Sequence, residues 1–145
     1  MATEVNGMVE CRPLARVWGE EDEDVVWWGA VDLFLLNSGN AYDALACLFG
    51  VRNSFGFRPL AEGRGLPGDV SEGVREQYYG EAYGATWISW AELEGVDWEE
   101  RNVSGELSRG EVAGVGTHWG PVWEVMRVLG GVHGSAHVRL VVWFC

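Results

Sequence analysis

Lysine is absent from this chain, and cysteine and proline are scarce, with three and four among 145 residues. All ten basic residues are therefore Arg, and 22 acidic residues oppose them for a formal charge of −12. That balance repels phosphate backbones and anionic lipid headgroups, which disfavours general nucleic-acid binding and attachment to an acidic membrane surface. Cys11, Cys47 and Cys145 form no CxxC pair, so a zinc site built on cysteine pairs is unsupported. An odd cysteine count without a secretory signal points to a reducing compartment. The first ten residues lack the basic and apolar regions of a signal peptide. The longest apolar runs, residues 25–28 and 140–145, are too short to cross a bilayer, so a soluble cytoplasmic chain is expected. No Ser or Cys sits in a nucleophile-elbow context, and Gly114-Val115-Gly116 lacks the third glycine of a dinucleotide loop. His133 and His137 are separated by a glycine and His118 is distant, so no metal and no cofactor is expected.

Against these absences stand 48% hydrophobic residues, 22% charged residues and nine Trp, a composition that supports a folded core over one domain, residues 1–145. Short β-type segments fall at residues 9–18. Five adjacent carboxylates follow, in an acidic loop at about residues 19–24, because like charges in a row stay solvated. Residues 31–36 read as a buried strand within an apolar stretch rich in Val, Trp, Leu and Phe. Tyr42, Leu45, Cys47, Leu48 and Val51 carry a helical period, predicting a helix over residues 41–51. A loop rich in Gly and Arg follows, then a helix over 71–79 capped by Ser71 or Asp69. Residues 85–90 read as a strand, with Ser89 capping a short helix at 91–95. A long polar loop is expected over 97–118. Pro121 suits the first turn of a helix that Gly130-Gly131 would end. Residues 138–145 close the chain as a strand buried on both faces. Trp27, Trp28, Trp87, Trp123 and Trp143 are expected in the core. Strands and helices do not alternate strictly, so the fold class is α+β, a small mainly antiparallel sheet with about three helices.

Chemistry concentrates on arginine and aromatic rings. Guanidinium forks match phosphate and carboxylate groups, and Arg52, Arg58 and Arg64 crowd one loop region. Arg52 and Asn53 leave a helix end together. Arg64 sits in Arg64-Gly65-Leu66-Pro67, where Gly65 permits a tight turn and Pro67 stiffens it. Tyr83 and Trp87 belong to an aromatic cluster able to pack in the core or to stack on a flat ligand.

Several stretches resemble motifs of a family of small uncharacterised phage and prophage proteins. They are Tyr42-Asp43 through Val51-Arg52-Asn53, Arg64-Gly65-Leu66-Pro67-Gly68-Asp69-Val70-Ser71, Ala85-Thr86-Trp87-Ile88 with Ala91-Glu92-Leu93, and Val138-Arg139-Leu140-Val141-Val142-Trp143-Phe144. The likeness covers residues 39–98 and 137–145. Two positions depart from it: Asn40-Ala41 stands where the family has Arg-Asn, and Tyr83 where it has His. The resemblance implies a phage origin and a host-cell cytoplasm, and supplies no reaction.

The leading expectation is a non-catalytic protein that binds a small anionic, nucleotide-like ligand through Arg52, Asn53, Arg64, Gly65, Tyr83, Trp87 and Arg139. In a phage setting it would sequester a host defence signal. The alternative is an acidic inhibitor of a basic host protein, such as a nucleic-acid-binding enzyme, contacting it through Glu20, Glu21, Asp22, Glu23 and Asp24. A nucleotide- or metabolite-processing enzyme with Glu92 or Asp69 as base ranks third. No residue is assigned to catalysis. The partner is expected to be the ligand or the basic protein, with homo-oligomerisation left open.

Overall fold

The computed structural model describes residues 3–13 and 26–145. Four strands, β1 (Val5–Cys11), β2 (Trp28–Asp32), β3 (Tyr83–Ser89) and β4 (Val138–Phe144), form one antiparallel sheet in the order β2-β1-β4-β3. The C-terminal strand is therefore interior, paired on both sides, and all seven of its residues are buried. A strand covered on both faces needs an unbroken apolar run, which is what residues 140–144 supply. The helices are α1 (Tyr42–Phe49), α2 (Glu72–Gln77), α3 (Trp90–Glu94), α4 (Arg109–Ala113) and α5 (Gly120–His133), giving an α+β architecture.

Side chains alternate along β1, and the alternation separates two layers. Val9 and Cys11 join Leu140, Val142 and Phe144 of β4 in the larger core, against α1, α5 and Leu93 of α3. Met8 faces the other way, with Val141 and Trp143, into a smaller core closed by Val70 and by Val74 of α2. Ser71 caps α2 through Val74 N–H, Ser89 and Glu92 form a reciprocal capping box on α3, and Pro121 occupies the first turn of α5.

Four expectations are corrected. β2 ends at Asp32, and Leu33–Leu36 form a 3-10 turn instead of a strand. The Asp32 carboxylate accepts from Phe34 N–H at 2.9 Å and Asn37 closes the turn with φ 58°, so local capping outweighs the β preference of Phe and Leu. Second, α5 runs through Gly130-Gly131 to His133, and Gly134 with φ 99° caps it. Gly130 serves close approach, since a Cβ there would lie 2.5 Å from Trp90 Cδ1. Third, the connection at 97–118 contains α4, capped by Ser108. Finally, Trp28 is 54% exposed on the edge strand instead of buried. The acidic residues 20–24, expected to contact a partner, lie outside the described residues.

Candidate functional site

The arginines expected to converge occupy separate stations, each holding a local acceptor. Arg52 Nε donates to Thr3 Oγ1 at 2.7 Å, and its guanidinium lies 4.8 Å above the Tyr42 ring. Tyr83 Oη sits 3.2 Å from the same threonine oxygen, so Arg52 and Tyr83 do meet, at the start of β1. Asn53 closes its own loop: its side chain accepts from Phe57 N–H at 3.0 Å and donates to Phe57 O at 2.7 Å.

Arg64 forms the second station. It grips Glu92 with both terminal nitrogens, at 2.8 and 2.7 Å, and donates to Trp87 O at 3.1 Å. Its guanidinium lies 5.1 Å from the Trp87 ring centre. The Gly65 N–H donates to Ala85 O, with φ 80° at the glycine, which fastens the loop along the outer edge of β3. The Arg64 hydrogen bond holds Glu92 below the usual carboxylate range against the opposing effect of burial, and the same bond raises Arg64.

Arg139 forms the third station, on the face of the smaller core. Glu10 of β1 is fully buried opposite it across the β1–β4 pairing. Arg139 Nε donates to Glu10 Oε1 at 2.6 Å, and Glu10 Oε2 accepts from Ser71 N–H at 2.6 Å. The rest of the guanidinium reaches Asp69 Oδ1 at 3.1 Å and lies 3.8 Å from the Trp27 ring centre. Trp27 Nε1 donates to Asp69 Oδ2 at 3.1 Å. Burial pushes the Asp69 carboxyl up, but the hydrogen bond and charge of Arg139, aided by its own backbone and Trp27, bring it net below its ordinary value. Glu10 was not singled out in the sequence, and Trp27 was expected only as a core residue, which its burial bears out. The one clue to Glu10 is a carboxylate between Val9 and Cys11 in a β-type stretch.

This buried network braces a cleft of about 560 Å³ between β2 and α2. Trp27, Trp28, Met8 and Val70 give it an apolar wall, and Asp69, Ser71, Glu72 and Arg75 give it a polar side. Two glycines in its lining let Met8 pack closely between β2 and α2. A Cβ on Gly29 would come within 3.3 Å of Met8 Sδ, and one on Gly73 within 3.2 Å of Met8 Cε. None of the seven residues expected to bind ligand lines the cleft, although Arg139 stacks on Trp27 within its wall.

The charges along the polar side differ in what they can still do. Asp69 is committed to Arg139 and Trp27, and the Ser71 hydroxyl accepts from Val74 N–H. Glu72 and Arg75 stand on one short helix and form no ion pair with one another. Among the described residues, Arg75 is the guanidinium with neither a hydrogen-bond, carboxylate nor ring partner. Asp69 and Glu92 are lowered carboxylates already holding arginines, which makes both weak proton acceptors near neutral pH. No group of three or more His, Cys, Asp and Glu able to hold a metal occurs among the described residues. No helix among them is long and apolar enough to cross a membrane. No family model, curated protein or solved structure matches the chain.

Proposed function

We propose that the chain binds a small ligand with a flat apolar body and an anionic group, without transforming it, in the cleft between β2 and α2. The observation that carries this reading is Arg75, a guanidinium without a partner among the described residues, which lines with Trp27 and Trp28 a hollow large enough for a nucleotide-sized molecule. The indole faces offer stacking surface at little conformational cost. Arg75 offers a fork for a phosphate or carboxylate, and Glu72 can accept from an exocyclic amino group. Trp27 is already fixed by Asp69 and Arg139, so part of the wall is ordered before a ligand arrives. With the family resemblance, sequestration of a host defence signal is the role such a pocket would serve.

A thermal-shift and calorimetric screen with mononucleotides, dinucleotides and cyclic dinucleotides tests the proposal. A binder is expected to raise the melting temperature and quench tryptophan emission. Arg75→Ala and Trp28→Ala are each expected to weaken it at least about tenfold, a loss of about 1.4 kcal/mol. Arg64→Ala should bind as the wild type does. If every anionic member leaves the melting temperature unmoved, or Arg75→Ala binds unchanged, the proposal is wrong.

A further inference from the structure

A second surface stands apart from the cleft and rests on different observations. Directly after β2, the 3-10 turn Leu33–Leu36 holds two large apolar side chains in water: Phe34 is 85% exposed and Leu35 is 72% exposed. Isolated exposed apolar residues are ordinary, but adjacent ones on a rigid support are not. The support here is built. Asp32 Oδ1 accepts from Phe34 N–H, its Oδ2 accepts from Gln77 Nε2 at 2.7 Å, and Asn37 N–H returns to Phe34 O. Leu33 anchors the turn in the main core at 2% exposure. Phe34 and Leu35 are thus presented by a braced knuckle.

Beside the knuckle lies a hollow of about 300 Å³, to which Phe34 also contributes. Its polar lining includes Glu4, Asn6, Asp32, Asn37 and Asn40, and no Arg or His among the described residues lines it. Both Asp32 oxygens already accept from neutral donors, but its charge is unpaired among the described residues and each oxygen keeps a further lone pair, so with Glu4 it suits a cationic side chain. The whole-chain charge of −12 sets the same preference at longer range, and it disfavours a second copy of this chain as the occupant.

We infer that this knuckle and its hollow form a docking surface for a basic protein, which covers Phe34 and Leu35 with an apolar groove and sets a Lys or Arg into the hollow between Glu4 and Asp32. Burying two exposed apolar side chains supplies non-directional attraction. The cation in the hollow supplies register and selects against acidic partners.

The test is a selection of random twelve-residue displayed peptides on the immobilised wild-type chain, with the Phe34→Ser/Leu35→Ser variant as counter-selection. Both positions are exposed, so the variant should keep the wild-type melting temperature, and its melt is measured first. Recovered sequences are expected to combine Lys or Arg with neighbouring Leu, Val or aromatic residues. The synthesised consensus peptide should bind at least about tenfold more weakly to Phe34→Ser/Leu35→Ser and to Glu4→Lys, and more weakly as salt rises. Recovery of no consensus, or of one without basic residues, overturns the inference. So does consensus binding that ignores both variants. Concentration-dependent dimerisation abolished by Phe34→Ser/Leu35→Ser would assign the surface to a second copy and equally overturn it.

Discussion

Replacing Arg139 with Leu removes the guanidinium from the most buried ion pair among the described residues. Glu10 is fully buried and has two partners in its environment, Arg139 Nε on one oxygen and Ser71 N–H on the other, each at 2.6 Å. Loss of Arg139 leaves a carboxylate out of water with one neutral donor. Uncompensated buried charges of this kind cost about 3–5 kcal/mol. Asp69 also loses its arginine, but its side chain is 64% exposed and water replaces the contact, so it adds little. Glu10→Gln removes the charge instead of stranding it and should cost less than Arg139→Leu. The double variant Glu10→Met/Arg139→Leu exchanges the pair for apolar volume and should recover more than half of the loss. Urea unfolding, followed by tryptophan emission and far-ultraviolet circular dichroism, reads each free energy. A deficit below about 1 kcal/mol at pH 7, or a double variant less stable than Arg139→Leu, would refute this account of the buried pair.

Burial pushes the Cys47 thiol up to about 12 and also raises Cys11, whereas Cys145 is exposed. At pH 8 a thiol reagent should label the native chain at Cys145 alone and reach Cys11 and Cys47 only after unfolding, as Cys145→Ser would show by abolishing native labelling. Arg64→Ala should destabilise by no more than about 1 kcal/mol at pH 7, because its partner Glu92 is half exposed. Glu92 is lowered in the fold, so the stability it contributes is present above the unfolded glutamate value and is lost as pH falls through the lower folded one. The gap between wild type and Arg64→Ala in urea melts should therefore close in acid. Gly7→Ala would place a Cβ 2.5 Å from the Val141 carbonyl oxygen of the paired strand, and a melt should show a loss of about 1–3 kcal/mol.

Elements that depend on neighbours in sequence are legible in the sequence itself. The helix around Leu45 and Leu48 follows from spacing, the starts of α2 and α3 from Ser71 and Ser89, and the burial of β4 from its unbroken apolar run. Composition alone set the acidic surface and the lack of cysteine pairs. What the sequence could not supply was the pairing of distant groups. Arg64 and Arg139 looked like open forks because nothing local reveals that Glu92 lies 28 positions from one and Glu10 lies 129 from the other. Trp28 looked like core because hydrophobicity does not say which strand becomes the sheet edge. Tertiary packing made both decisions. A guanidinium's availability depends on which carboxylates the fold brings within reach, and an indole's exposure on whether a further layer covers it. The same packing left Arg75 beside two tryptophans and lifted Phe34 and Leu35 into solvent.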